Sequence, residues 1–119
     1  MTDPAALVRA YYRALDDGEY DRLDSLLAPS FSQERPDRRF ASRAAFVRFM
    51  REERPVTGTR HDLDGVVVDG ERAVAEGTLI GPDGEPMFRF ADVFDLEDGR
   101  LVTLRTYTDS HDEVGIDGG

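Results

Sequence analysis

ADVFDLEDGRLVTLRTYTDS, residues 91–110, places Asp98-Gly99 between two runs of alternating side chains. The tight turn that suits strand twist needs φ > 0 at both central positions, and Asp-Gly supplies it. Pairing Glu97 with Arg100 and counting outward sets Leu96 against Leu101 and Phe94 against Thr103. The same count sets Asp92 against Arg105, Phe90 against Tyr107 and Phe88 against Asp109. Strand side chains alternate between faces. One face therefore carries Phe88, Phe90, Phe94, Leu96, Leu101 and Tyr107, together with Asp92, Arg105 and Asp109, and this face is expected to be buried. Two carboxylates and a guanidinium on an aromatic wall read either as the polar side of a cavity or as an internal ion pair. Directly across the ladder, Asp92 and Arg105 would be that pair.

Upstream, HDLDGVVVDGERAVAEGTLI, residues 61–80, contains a second turn signal at Asp69-Gly70. Pairing Val68 with Glu71 puts His61, Leu63, Val67, Val74, Glu76 and Thr78 on one face, and Asp62 and Asp64 on a wetter one. Gly81-Pro82-Asp83-Gly84 is a third turn. The first sixty residues follow a helical period instead. Asp3-Pro4 is a helix start, followed by Leu7, Val8, Tyr11, Tyr12 and Leu15, with Gly18 as the stop. Glu19–Ala28 predicts a shorter helix closed by Pro29, and Ser42 caps a third that carries Phe46, Val47, Phe49 and Met50 and ends before Pro55. Between them, residues 30–41 are polar, with Phe31 and Phe40 as apolar anchors. Three helices followed by four long antiparallel strands predict an α+β domain over residues 1–110. Residues 111–119, acidic and glycine-rich, predict a disordered tail. A strongly bent antiparallel sheet wrapped on the first helix would form a cone. An apolar lining with a few convergent polar groups suits a small-molecule pocket.

Composition narrows the partners. The chain of 119 residues has 16 Asp and 9 Glu against 15 Arg, with no Lys, for a net charge of −10. Nucleic acid is not an expected partner, since binding it needs a basic surface. No run of 18 apolar residues exists, so no membrane-spanning helix is expected. MTDPAALVRAYY has no basic stretch before an apolar core, so no signal peptide is expected. Cysteine is absent, which excludes disulfides and thiolate sites. These features favour the cytoplasm. Abundant Asp without Lys resembles proteins of salt-accumulating microbes, where molar salt shrinks the Debye length to about 3 Å and self-repulsion becomes tolerable. A high-GC genome that replaces Lys by Arg is the alternative.

YYRALDDGEYDRLDSLLAPSF, the AFVRFM helix and DVFDLEDGRLVTLRTYTD resemble the SnoaL-like branch of the nuclear-transport-factor-2-like superfamily over residues 5–109. That resemblance implies a cone-shaped α+β barrel, frequent homodimers, and activities that range from isomerases and cyclases to non-enzymatic binding domains. Ketosteroid isomerases of this superfamily hold an oxyanion with a Tyr and a protonated Asp, and use a second Asp as base. Matched residue by residue, the resemblance puts the Tyr at Tyr11 and the oxyanion Asp at Asp92, and the base falls near Gln33, which cannot be one. SnoaL-type cyclases place an Asp near the end of the last strand, which Asp109 matches. Epoxide hydrolases need an Arg and an Asp two apart on a middle strand, where AEGTLI offers only Glu76 and Thr78.

The candidate catalytic residues are thus Asp109, His61, Tyr11 and Asp92, with Glu76, Phe90, Arg105 and Tyr107 as ligand contacts. Each has a plainer reading. An ionised Asp92 could simply pair with Arg105, His61 could sit at the pocket mouth bonded to Glu76 or a backbone carbonyl, Tyr11 could be core, and Asp109 could be a solvated strand end. No metal is expected, since metal-ligand spacing is absent, and no cofactor, since the protein's own charges would do the work. Two functions follow. One is cofactor-free acid–base chemistry on a small carbonyl compound, as in an isomerase or cyclase. The other is a non-catalytic ligand-binding or dimerisation module.

Overall fold

The first helix, α1 (Pro4–Asp17), forms where its caps place it. Asp3 Oδ1 accepts from Ala5 N–H at 3.1 Å, Pro4 occupies the first turn, and Gly18 closes the other end by returning its N–H to the Ala14 and Leu15 carbonyls. Residues 3–54 and 57–109 are described in this computed structural model, so the tail expected at 111–119 lies outside them. Leu7, Val8, Tyr11, Tyr12 and Leu15 form the buried stripe of α1. The short α2 (Tyr20–Leu26) stops earlier than the expected Ala28, because Leu27 turns extended (φ −99°, ψ 140°) and opens a strand.

That strand, β1 (Leu27–Glu34), is one the sequence pattern does not predict. Pro29 and the polar run Ser30, Ser32, Gln33 and Glu34 disguise it, yet Phe31 and Gln33 alternate inward, 0% and 1% exposed. It pairs with the two-residue β2 (Arg39–Phe40) on one side. Ser42 Oγ then accepts from Ala45 N–H at 3.1 Å to start α3 (Arg43–Arg48), which loosens into a π-helical turn over Phe49–Glu53. The strands β3 (Arg60–Asp69), β4 (Arg72–Ile80), β5 (Pro86–Glu97) and β6 (Arg100–Thr108) follow. The open six-stranded sheet runs β2-β1-β6-β5-β4-β3, with β1 parallel to β6 and every other pair antiparallel. The α+β class holds, but the sheet is mixed and has two strands more than the four expected. No helix among the described residues is long and apolar enough to cross a membrane.

The turns confirm one count and shift another. Asp98 (φ 52°) and Gly99 (φ 74°) make the expected tight turn between Glu97 and Arg100. The β3–β4 turn is Gly70-Glu71 rather than Asp69-Gly70, since Asp69 pairs with Arg72. Two bulges then change which residues face inward. In β6, Leu96 meets Leu101 but Asp95 meets Thr103, so Val102 is an extra residue. Beyond it the partners move by one. Asp92 faces Thr106, Val93 faces Arg105 and Ala91 faces Tyr107. A one-residue slip exchanges the two faces of a strand. Leu104 and Thr106 are therefore buried, while Tyr107 is 55% exposed, and the expected Asp92–Arg105 pairing is not formed. In β3, an irregularity at Asp64 separates His61, which goes inward opposite Leu79, from Val67, which goes outward. Gly77 is required there, because a Cβ would run into the Asp62 carbonyl oxygen.

Between α1, α3 and the concave side of the sheet lies one core, with Tyr11, Leu15, Leu23, Phe31, Phe46 and Phe94 among its fully buried members. Burying each such apolar side chain contributes roughly 1.5–3 kcal/mol. Tyr11 packs edge-on to Phe94 at 5.5 Å, and Phe31 leans on Phe46 at 5.2 Å.

Candidate functional site

The polar end of this interior centres on Asp92, 5% exposed in the middle of β5. Its Oδ2 accepts from the Tyr12 hydroxyl at 2.5 Å and its Oδ1 from the Thr106 hydroxyl at 2.6 Å. A chain of hydrogen bonds continues from there. Gln33 Nε2 donates to Thr106 Oγ1 at 2.9 Å, and Arg35 Nε donates to Gln33 Oε1 at 3.1 Å. Arg35 is itself buried, its guanidinium lying 5.4 Å from the Phe40 ring centre and 5.6 Å from that of Phe49. Four elements meet here. Helix α1 brings Tyr12, β5 Asp92, β6 Thr106 through its bulge, and β1 Gln33 with Arg35 just beyond it.

Burial pushes the Asp92 carboxyl above the ordinary carboxylate value. The hydrogen bonds from Thr106 and Tyr12, and the charges of His61 and Arg35, oppose that rise without cancelling it. Tyr12 is likewise raised well above a free phenol, by burial first and by its neighbour Asp92 second. Both groups are thus biased towards their protonated, neutral forms.

Beside them stands His61. Its Nδ1 lies 2.7 Å from Asp16 Oδ1, and its backbone N–H donates to Asp16 Oδ2 at 3.0 Å. Its ring packs 4.9 Å from that of Tyr12 and 5.4 Å from that of Phe90. With Nδ1 held against a carboxylate, that nitrogen carries the proton in the neutral ring and Nε2 is left basic. Among the described residues Nε2 has no hydrogen-bond partner. His61 and Tyr12 both line a cleft of about 370 Å³ between α1 and β3.

The eight residues singled out by sequence fall into two groups. Asp92, His61, Phe90 and Tyr11 are inside. Tyr11, however, packs among Tyr12, Phe46 and Phe94 and makes no hydrogen bond among the described residues; the next residue, Tyr12, is the one that meets Asp92. Glu76, Arg105, Tyr107 and Asp109 are on or at the rim of the opposite face. Glu76 pairs with Ala91, which pairs with Tyr107, so those two belong to one outward row. Asp109 is exposed and its Oδ1 accepts from Arg89 N–H at 2.9 Å. His61 is bonded to Asp16, not to Glu76. Sequence reading missed Tyr12 as the partner of Asp92, and Asp16, Thr106 and Arg35 altogether. Asp16 was the most accessible of these, four residues after Tyr12 on one helix face. Among the described residues, no group of three or more His, Cys, Asp or Glu side chains could hold a metal ion.

The comparisons agree with this architecture. No curated protein matches the chain. A solved structure of an NTF2-like protein of unknown function from Burkholderia pseudomallei K96243 aligns over 100% of both chains, with 23% identity and a TM-score of 0.81. An LEH-like epoxide hydrolase from M. tuberculosis is 23% identical, with 95% of this chain and 88% of that one covered and a TM-score of 0.77. A candidate ketosteroid isomerase from Kribbella flavida DSM 17836 is 24% identical over 92% of this chain and 80% of its own, with a TM-score of 0.76. These likenesses establish the cone-shaped α+β fold. The family model for the SnoaL-like domain matches residues 8–104, nearly the whole folded region, and the chain belongs to that family.

Proposed function

We propose that this protein carries out cofactor-free acid–base chemistry on a small carbonyl compound bound against Tyr12 and His61. The observation that carries the reading is the Asp16–His61 dyad standing next to a buried Asp92–Tyr12 pair. Asp16 fixes the imidazole so that Nε2 can take a proton from the carbon α to the carbonyl. With Asp92 neutral, its own O–H can donate to the Tyr12 oxygen, which frees the Tyr12 proton for the developing enolate. His61 then returns its proton to another carbon or to the same one. Deuterium incorporation α to the carbonyl of small ketones, followed by NMR in D₂O, tests the proposal. Wild type should catalyse exchange, and His61→Gln should lower it by about 10²–10⁴-fold. A wild type no faster than buffer would remove the catalytic reading.

A binding-only module is the second reading. Both Asp92 oxygens already have donors, and Gln33 stands where a second carboxylate would be a base. Ligand binding without exchange would select it.

Assembly and setting belong to the same proposal. The outward row Val67, Val74 and Val93, with Val67 72% exposed and Tyr107 nearby, is an apolar strip suited to a homodimer. Leu104 faces the core and takes no part in that strip. Sedimentation equilibrium should give twice the 13.3 kDa chain mass, and a monomer at all concentrations would contradict it. The net charge of −10 and the absence of Cys fit a salt-rich cytoplasm; a melting temperature that does not rise with KCl would count against the salt adaptation.

A further inference from the structure

Arginine pairing is uneven over this molecule. Acids outnumber arginines 25 to 15, so an arginine with a carboxylate neighbour is the expected state. At least seven arginines, Arg72 and Arg89 among them, have a carboxylate oxygen within 3.9 Å. Among the described residues Arg22, Arg54, Arg100 and Arg105 lack one, and so do Arg9, Arg13 and Arg60, but these three lack it in a single place. Among the described residues none of the three has a hydrogen bond or an ion pair, and all three are exposed. They also lie together, since all line the cleft whose wall includes Tyr12 and His61. Arg9 and Arg13 are four apart on α1, a like-charge spacing that destabilises a helix slightly. The nearest acids do not relieve it. Asp16 lends both oxygens to His61, and Asp17 also lines the cleft without an ion pair among the described residues.

We infer that the ligand of this cleft is a small oxo acid, a carbonyl compound that also carries a carboxylate. The inference rests on the acid–base reading of the same site and adds the substrate class to it. Guanidinium forks bind a carboxylate through paired N–H···O bonds and keep their charge at any working pH. Three of them at one mouth make a local positive field in a chain that otherwise repels anions. A carboxylate held at that rim would bring the carbonyl of a short acid towards Tyr12 and its α carbon towards His61. Among the described residues of the cleft, Asp17 is the unengaged carboxylate that such an anion must avoid, which favours a single acidic group over two.

Calorimetric titration of the intact protein with 2-oxobutanoate and 4-oxopentanoate, and with their methyl esters, tests the inference. At least one acid should bind at least tenfold tighter than its ester. The triple variant Arg9→Gln, Arg13→Gln, Arg60→Gln should lose that preference, whereas Arg100→Gln, at the far hairpin, should keep it. Circular dichroism confirms that the variants fold, as exposed substitutions should. No binding of either acid, equal binding of acid and ester, or a triple variant that still prefers the acid would overturn the assignment. The two levels separate cleanly. Acid-selective binding without deuterium exchange sustains the anion site and removes the catalytic reading; exchange on neutral ketones with no acid preference does the reverse.

Discussion

Tyr11 and Tyr12 are neighbours in the chain and in one core, 1% and 2% exposed, yet their hydroxyls meet different surroundings. Tyr11 lies in an aromatic region with Phe46 and Phe94, where packing alone holds it. Tyr12 lies where its hydroxyl closes a buried polar chain that runs through Asp92, Thr106 and Gln33 to Arg35. A step of one residue along α1 turns the side chain by about 100°, which is enough to reach the other region. The same lesson repeats in β6, where one extra residue, Val102, replaces Arg105 by Thr106 beside Asp92. A guanidinium there would have ionised the carboxyl, whereas a hydroxyl leaves burial to dominate. The apolar region makes the fold stable. On the proposed reading, the polar region spends part of that stability on a poised acid.

Damaging each region in turn separates their roles. Phe94→Ala should cost about 3–5 kcal/mol in denaturant melts, because a fully buried ring leaves a cavity. A loss below about 1 kcal/mol would mean that the aromatic region is not the stabilising one. Next come the tyrosines. Tyr12→Phe strips Asp92 Oδ2 of its donor and should cost about 1–3 kcal/mol. Tyr11→Phe removes a hydroxyl with no hydrogen bond among the described residues and should change stability by less than about 0.5 kcal/mol. Equal effects would erase the distinction between them.

Two carboxyls three residues apart on β5 should respond to pH with opposite signs. Asp92 is raised in the folded state, so its contribution is fully present below the unfolded value of about 4 and is lost as pH rises through the folded one. Asp92→Asn should therefore flatten the decline of stability on the neutral side. Asp95, half-buried on the other face, is lowered by its hydrogen bond from Thr103 and by Arg72. Its contribution is present above the unfolded value and is lost as pH falls through the folded one, so Asp95→Asn should flatten the acid side. Melts from pH 3 to 8 check both slopes. The smallest effect is expected at Asp109→Asn, under about 0.5 kcal/mol, because an exposed strand end keeps its acceptor oxygen in the amide.

Much of this fold was legible in the chain. The Asp3-Pro4 and Ser42 helix starts, the Gly18 stop and the Asp98-Gly99 turn are local chemistry, and each forms where its residues dictate. β1 was hidden because its pairing with β6 is parallel and long-range, and its polar residues mask the alternation of Phe31 and Gln33. The site was half legible for a related reason. Asp92, His61 and Phe90 were identified by type and position, and they do face inward. Arg105 and Tyr107 were placed beside them by counting from a correct turn, and a bulge is invisible to such a count. Thr106 and Asp16 carry no signal of their own, since their roles come from what tertiary packing sets against them.

Whether Asp92 is a poised acid is decided by titrating its side-chain carboxyl, followed by its ¹³C shift in selectively labelled protein. A buried carboxyl held by the Tyr12 and Thr106 hydroxyls, rather than paired with Arg105, should titrate clearly above the ordinary carboxylate value of about 4. Titration at or below that value would show an ionised Asp92, contradict the poised acid, and return the residue to a purely structural role.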